Sequence, residues 1–206
     1  MNFYALSTRI AGLFLFFAIL SCQKEQETLP EPEKIADVSA QVQGTLTWYL
    51  VTVANPTADQ QDAYNRITAA MNAAVAMYNA QTPYCSGTLR VEYNTSVATA
   101  DGNVNGTIRF GSNRTYMTQC TAQHEIAHTQ GVGTTTRWSQ LVVSGKFTGA
   151  YTLAMLRTFP EDGPNATLSA DGHSFWPYGL NYNSEWTTLN GQRNAILVGE
   201  MQRDGV

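Results

Sequence analysis

Lysine is scarce in this chain: three residues of 206, beside nine arginines and sixteen acidic residues. No basic run interrupts a net charge of −4, and without a positive stripe there is no electrostatic footprint for nucleic acid. Long apolar runs are missing too. The best candidate, Ile10 to Leu20, is shorter than the roughly 20 residues that span a bilayer. There are no internal repeats, which excludes repeat architectures. Histidine and cysteine are equally rare, three of each, so each can be weighed individually. Alanine, threonine, asparagine and glycine are abundant, a mixture common in exported bacterial proteins. At 43% hydrophobic and 14% charged, 206 residues bury one core and are too few for two comfortable domains.

The amino terminus reads as an address. Arg9 precedes the apolar run, which ends in Ile19-Leu20-Ser21-Cys22 and has the length of a signal-peptide core. Leu20-Ser21-Cys22 resembles a bacterial lipobox, whose cysteine is acylated and becomes the new N-terminus. That modification supplies the more than one acyl chain that durable anchoring needs. Residues 1–21 are thus expected to be a lipoprotein signal peptide and Cys22 the lipidation site. The mature chain is expected to be anchored to the outer membrane, on its periplasmic or cell-surface side. Removing the signal takes away one positive charge, Arg9, and leaves −5. Residues 22–43 are rich in Glu, Gln and Pro and read as a solvated tether. Their start, Gln23-Lys24-Glu25-Gln26-Glu27, resembles surface-export tethers of Bacteroidetes lipoproteins. Residues 44–206 are the domain.

With Cys22 assigned to lipid, Cys85 and Cys120 remain. An exported chain with two cysteines usually joins them, and such a bridge contributes about 2–4 kcal/mol. Two free thiols, or a metal-bound thiolate from Cys120, are the alternatives.

Thr45 to Val53 is β-branched and aromatic and predicts a strand. Asn55-Pro56 breaks it. Thr57 and Gln60 form a capping-box pattern opening a helix to about Ala80, with Tyr64, Ile67, Met71, Val75 and Tyr78 as its buried stripe. Leu89 to Tyr93 and Thr107 to Phe110 read as strands, separated by the turn-rich Asp101 to Gly106. A helix is predicted from about Thr118 to Gln130, ended by Gly131 in a left-handed cap. Beyond Gly133 the pattern weakens. Trp138 to Val143 is apolar, Tyr151 to Thr158 suits a helix, and Glu161 to Gly172 reads as loop. Ser184 is a plausible N-cap for a last helix from about Glu185 to Met201, with Gly191 weakening its middle.

The most informative feature is His124-Glu125-Ile126-Ala127-His128. Two imidazoles four residues apart share one helix face and can ligate one zinc ion, and Glu125 beside them can act on water held there. Catalytic zinc takes three protein ligands. The third is assigned to His173, the only histidine left. It stands in an aromatic, glycine-rich segment, Ala170 to Tyr182, that has no regular period and needs a reason to be ordered. Asp171, Glu185 and Glu200 are the other candidates, Glu185 foremost.

The stretch His124 to Gly131 resembles the metzincin signature HExxHxxGxxH, departing from it at the third histidine, where this chain has Thr134. His124 to Trp138 together with Asp171 to Glu185 resembles a group of secreted bacterial zinc metalloproteins, some of which carry ricin-type lectin modules. No such module is present here. The resemblance covers the chain from about Trp48 onward. It implies an α+β, zincin-like single domain: a small mixed sheet on a backing helix and an HExxH helix, then an irregular lower subdomain with a C-terminal helix. It also implies Zn2+ on His124, His128 and His173. The expected activity is that of a zinc endopeptidase of the cell envelope acting on protein or glycoprotein, with Glu125 as general base. Astacin-like and serralysin-like enzymes place a tyrosine near the oxyanion. Gly179-Leu-Asn-Tyr182 is a loose echo, making Tyr182 the candidate, with Tyr178 the alternative. Thr107 to Phe110 is a candidate cleft rim for an extended peptide. Two other functions stay open: a binding module, for instance for glycans, with structural zinc, and a non-peptidase zinc hydrolase such as a deacetylase.

Overall fold

The structure, a computed structural model, describes residues 44–206. The signal peptide, Cys22 and the tether lie outside the described residues. Within them the chain is α+β, with five helices and two four-stranded sheets. No helix among the described residues is long and apolar enough to cross a membrane.

Strand β1 (Thr45–Val51) leads to helix α1 (Ala58–Gln81). The helix opens with the expected capping box: Thr57 accepts from the Gln60 N–H while the Gln60 side chain accepts from the Thr57 N–H. All five apolar positions of the predicted stripe are buried. Strands β2 (Ser86–Tyr93), β3 (Ala100–Gly102) and β4 (Thr107–Phe110) complete the first sheet, in the order β1-β2-β4-β3. β1, β2 and β4 run parallel and β3 antiparallel. α1 packs on β1 and on two later helices, α2 (Gln119–Thr129) and α5 (Thr188–Arg203).

Two sequence expectations change here. Asp101 and Gly102, read as turn, belong to β3. Thr107 to Phe110, proposed as the rim, is an interior strand flanked by β2 and β3. The edge strand beside it is β3, three residues long, too short for periodicity to reveal.

The second half is more regular than expected. Helix α3 (Thr136–Leu141) runs into β5 (Val142–Val143), followed by β6 (Lys146–Phe147), helix α4 (Ala150–Leu156), β7 (Leu168–Ala170) and β8 (Phe175–Trp176). These strands make an antiparallel sheet in chain order. Trp138, Phe147, Leu168 and Phe175 bury its inner side. Two- and three-residue strands leave no alternation to read, so the segment looked irregular.

The last helix, α5 (Thr188–Arg203), is capped by Thr187, whose side chain accepts from the Asn190 N–H, not by Ser184. The helix runs on through Gly191. A β-carbon there would strike the Trp186 ring, and the Gly191 carbonyl accepts the Gln123 side chain at 2.9 Å. The glycine is where α5 and α2 meet. Tyr78 Oη, from α1, lies 2.9 Å from Asn194 Oδ1 and 3.2 Å from the Gln123 carbonyl, joining the three helices in the core.

Candidate metal centre

Helix α2 carries the site. Thr118 caps its start by accepting from the Thr121 N–H at 3.2 Å. Its end is a Schellman motif. The Gly131 N–H donates to the His128 carbonyl and the Val132 N–H to the Ala127 carbonyl, both at 3.1 Å, with Gly131 at φ +100°. The turn brings the Val132 carbonyl back over the helix, 2.8 Å from His128 Nδ1. Thr134, where the metzincin pattern has its third histidine, has another role: its hydroxyl donates to the His128 carbonyl at 2.8 Å.

His124 is held from the other side. Its Nδ1 lies 2.8 Å from the Gly179 carbonyl. A carbonyl only accepts, so both histidines carry their proton on Nδ1 and leave Nε2 bare. The two bare nitrogens stand 3.1 Å apart, with the rings nearly perpendicular at 88°. Two lone pairs at this distance repel unless a cation or proton sits between them. Burial disfavours the proton. Desolvation lowers the His124 pKa, and it pushes His128 down to about 4 with the help of its neighbour His124. The donor set, with each Nδ1 oriented by a backbone acceptor, fits a divalent metal.

His173 arrives from the loop between β7 and β8. Its ring stacks on His128, centroids 4.3 Å apart and planes 28° from parallel. The three rings therefore share one cleft. Among the described residues, however, no three metal-capable side chains stand as a finished coordination group. The His173 ring lies face-on beside the pair. The residue is exposed, and rotation about its side-chain torsions is the motion that would redirect its nitrogens. The other candidates are engaged elsewhere. Asp171 Oδ1 accepts the backbone N–H groups of His173 and Ser174, both at 2.7 Å. Glu185 accepts the Asn181 N–H at 2.9 Å. Glu200 is buried against Arg203.

Glu125 is 5% exposed, and its Oε2 has no hydrogen-bond partner. Burial first, and Asp101 second, raise its pKa to about 8, while a backbone hydrogen bond from Gly102 acts the other way. A buried carboxylate with an idle oxygen beside two bare imidazole nitrogens is the combination a cation and a water would satisfy together.

These groups form one wall of a cleft of about 440 Å³. β3 also lines it through Ala100, Asp101 and Gly102, with Gly102 packed against the Glu125 backbone, as does the segment Leu180 to Asn183. Asn183 ties this segment to the chain leading into α2, donating to the Thr115 carbonyl at 2.9 Å and lying 3.0 Å from the Thr118 hydroxyl. Tyr182 lines this cleft and is 67% exposed. Tyr178 does not line it. Its hydroxyl donates to Asp162 at 2.7 Å and its ring packs edge-on against Phe159. Asp101 and Tyr116 also line the cleft and were not singled out from the sequence. Asp101 sits in what looked like a turn, and nothing local marks Tyr116.

The expected bridge between Cys85 and Cys120 is absent: both are free and buried. Cys120 faces the Leu180 and Tyr182 carbonyls, its Sγ 3.8 and 3.6 Å from them. Cys85 precedes β2 in the apolar core. Burial raises both thiol pKa values, that of Cys120 to about 11, so both are protonated thiols at neutral pH.

No family model, curated protein or solved structure matches the chain.

Proposed function

We propose that this chain is a zinc-dependent endopeptidase on a zincin-like frame, exported and lipid-anchored through Cys22, acting on protein or glycoprotein. The observation that carries the reading is the pair of bare Nε2 atoms 3.1 Å apart on α2 with the unpartnered Oε2 of Glu125 beside them. His124 and His128 would hold the metal, and His173 would complete the set. Zinc, when bound, supplies Lewis acidity for a carbonyl and acidifies water to near neutrality.

The chain's own residues do the rest. β3 is an edge strand, so an extended substrate can pair along Ala100 to Gly102 and lie across the cleft. Glu125, shielded from bulk water, takes the proton from the attacking water. The same carboxyl then delivers that proton to the amine that leaves. The Tyr182 hydroxyl donates to the oxygen on which negative charge develops.

The test is paired. Purified full chain should contain one equivalent of zinc and cleave an unfolded protein substrate. Glu125→Gln should keep the metal and lose cleavage. Full cleavage by that variant, or a wild-type chain that takes up no zinc, would remove the proposal.

A further inference from the structure

A second cavity of about 400 Å³ lies outside the catalytic cleft, between the β7–β8 end of the second sheet and the start of α5. Its walls combine an aromatic surface with polar groups of both kinds. Trp176, on the edge strand β8, is partly exposed, and its indole N–H donates to nothing among the described residues. Tyr178 adds a second ring, its hydroxyl spent on Asp162. Glu185 spends one carboxylate oxygen on the Asn181 N–H and keeps the other free. The Asn190 side chain donates to the Glu185 carbonyl at 2.7 Å, which leaves its oxygen as an acceptor. Ser169 accepts the Lys146 ammonium at 2.9 Å and retains its own proton for a ligand, and Thr167 is exposed at the rim.

Each ligand class makes a different demand on such a site. An anion needs unspent cations, and here the lysine is engaged while a carboxylate faces the cavity. An extended peptide needs a strand edge to pair with, and β8 offers two residues. A purely apolar ligand would strand the free acceptors. A pyranose meets every condition. Its axial C–H face is weakly positive and suits the negative face of an indole. Each ring hydroxyl both donates and accepts, matching a rim of free acceptors and free donors. The volume lies within the range of small-molecule sites.

We propose that the cavity between Trp176 and Glu185 is a binding site for a neutral sugar residue, with Trp176 as the stacking platform and Glu185, Asn190 and Ser169 as the hydroxyl partners. The site uses none of the metal-centre residues and stands whether or not the chain is a peptidase. It adjoins the cleft, since Glu185 fixes Asn181, which lines that cleft.

The experiment is a tryptophan-fluorescence titration of the full chain with lactose, cellobiose and N,N′-diacetylchitobiose, with sialyllactose as the anionic arm. At least one neutral disaccharide should give saturable binding in the millimolar range, equally in metal-loaded and metal-free protein. Affinity should fall about tenfold or more, some 1.4 kcal/mol, in Trp176→Ala. Thr167→Arg, an exposed change that fills the rim without touching the core, should do the same. Absence of saturable binding by all three neutral sugars overturns the proposal. So does binding of sialyllactose alone, or binding that neither variant weakens.

Discussion

Gly133 lies flush against the backbone of His173, so closely that a β-carbon at Gly133 would fall on the His173 carbonyl. The two residues are forty positions apart. The contact joins the turn that ends α2 to the loop that carries the third imidazole, and it is what lets the His173 ring reach His128. Gly133 is also at φ +68°, where a side chain is strained whatever the space.

Gly133→Ala should therefore push His173 away from the pair on α2. The backbone term alone costs about 1–2 kcal/mol, which lowers the melting midpoint by roughly 2–8 °C in a domain of this size. Zinc affinity, read by chelator competition, should fall more than stability does. A variant that melts lower but binds zinc like wild type would show that the contact does not position His173.

Asp171 acts on the same residue through hydrogen bonds. Its Oδ1 receives both N–H groups of the turn bearing His173. Asp171→Ala should weaken zinc binding by about 10- to 100-fold, the range seen for groups that orient metal ligands. Asp171→Asn retains an oxygen at that position and should restore most of the loss. Equal loss in both variants would mean that charge, not the turn, matters.

The pKa of Glu125 sets a pH signature for metal-free protein. Its folded value, about 8, lies above its ordinary value of 4.5. The folded state thus binds more protons between these limits, and the group's contribution to stability falls as pH rises through that window. Glu125→Gln removes the fall. In metal-free protein the variant should match wild type below pH 4.5 and be more stable by pH 8, by a few kcal/mol at about 1.4 kcal/mol per pKa unit. Zinc should shrink the difference by compensating the charge. Denaturant titrations across this range would reveal it, and parallel pH curves for the two metal-free proteins would contradict it.

The two tyrosines should separate cleanly. Tyr182→Phe, at an exposed position, should leave folding intact and reduce kcat by roughly 100-fold with little change in KM, as expected for a donor to a developing oxyanion. Tyr178→Phe breaks the hydroxyl bond to Asp162 and should cost about 1 kcal/mol of stability with turnover near wild type. The reverse pattern would exchange their roles.

Cys85 and Cys120 should both be alkylated as free thiols in denatured protein, as mapped by peptide mass. Reductant should leave the melting midpoint where it was. A bridge worth about 2–4 kcal/mol would reveal itself by a drop.

Legibility followed the range of the interactions. The capping box of α1, its buried stripe, the Thr118 to Gln130 helix and its glycine stop were readable because each rests on residues within a turn or two of one another. The strands of two and three residues were not, since their existence depends on partners far along the chain. The disulfide was inferred from compartment and count, which carry no geometry. Tyr182 and Tyr178 look alike in sequence; a positive φ at Tyr178 and the Asp162 carboxylate send one ring away from the cleft.

By itself the order of residues determined that His124 and His128 share a helix face with Glu125 next to them, because the 3.6-residue period leaves no other arrangement. Only the tertiary structure decided which carbonyls orient those rings and which strand faces them. It alone placed the imidazole at position 173 beside the pair. A local repeat dictates spacing along one element, whereas the meeting of distant segments depends on how the whole core packs.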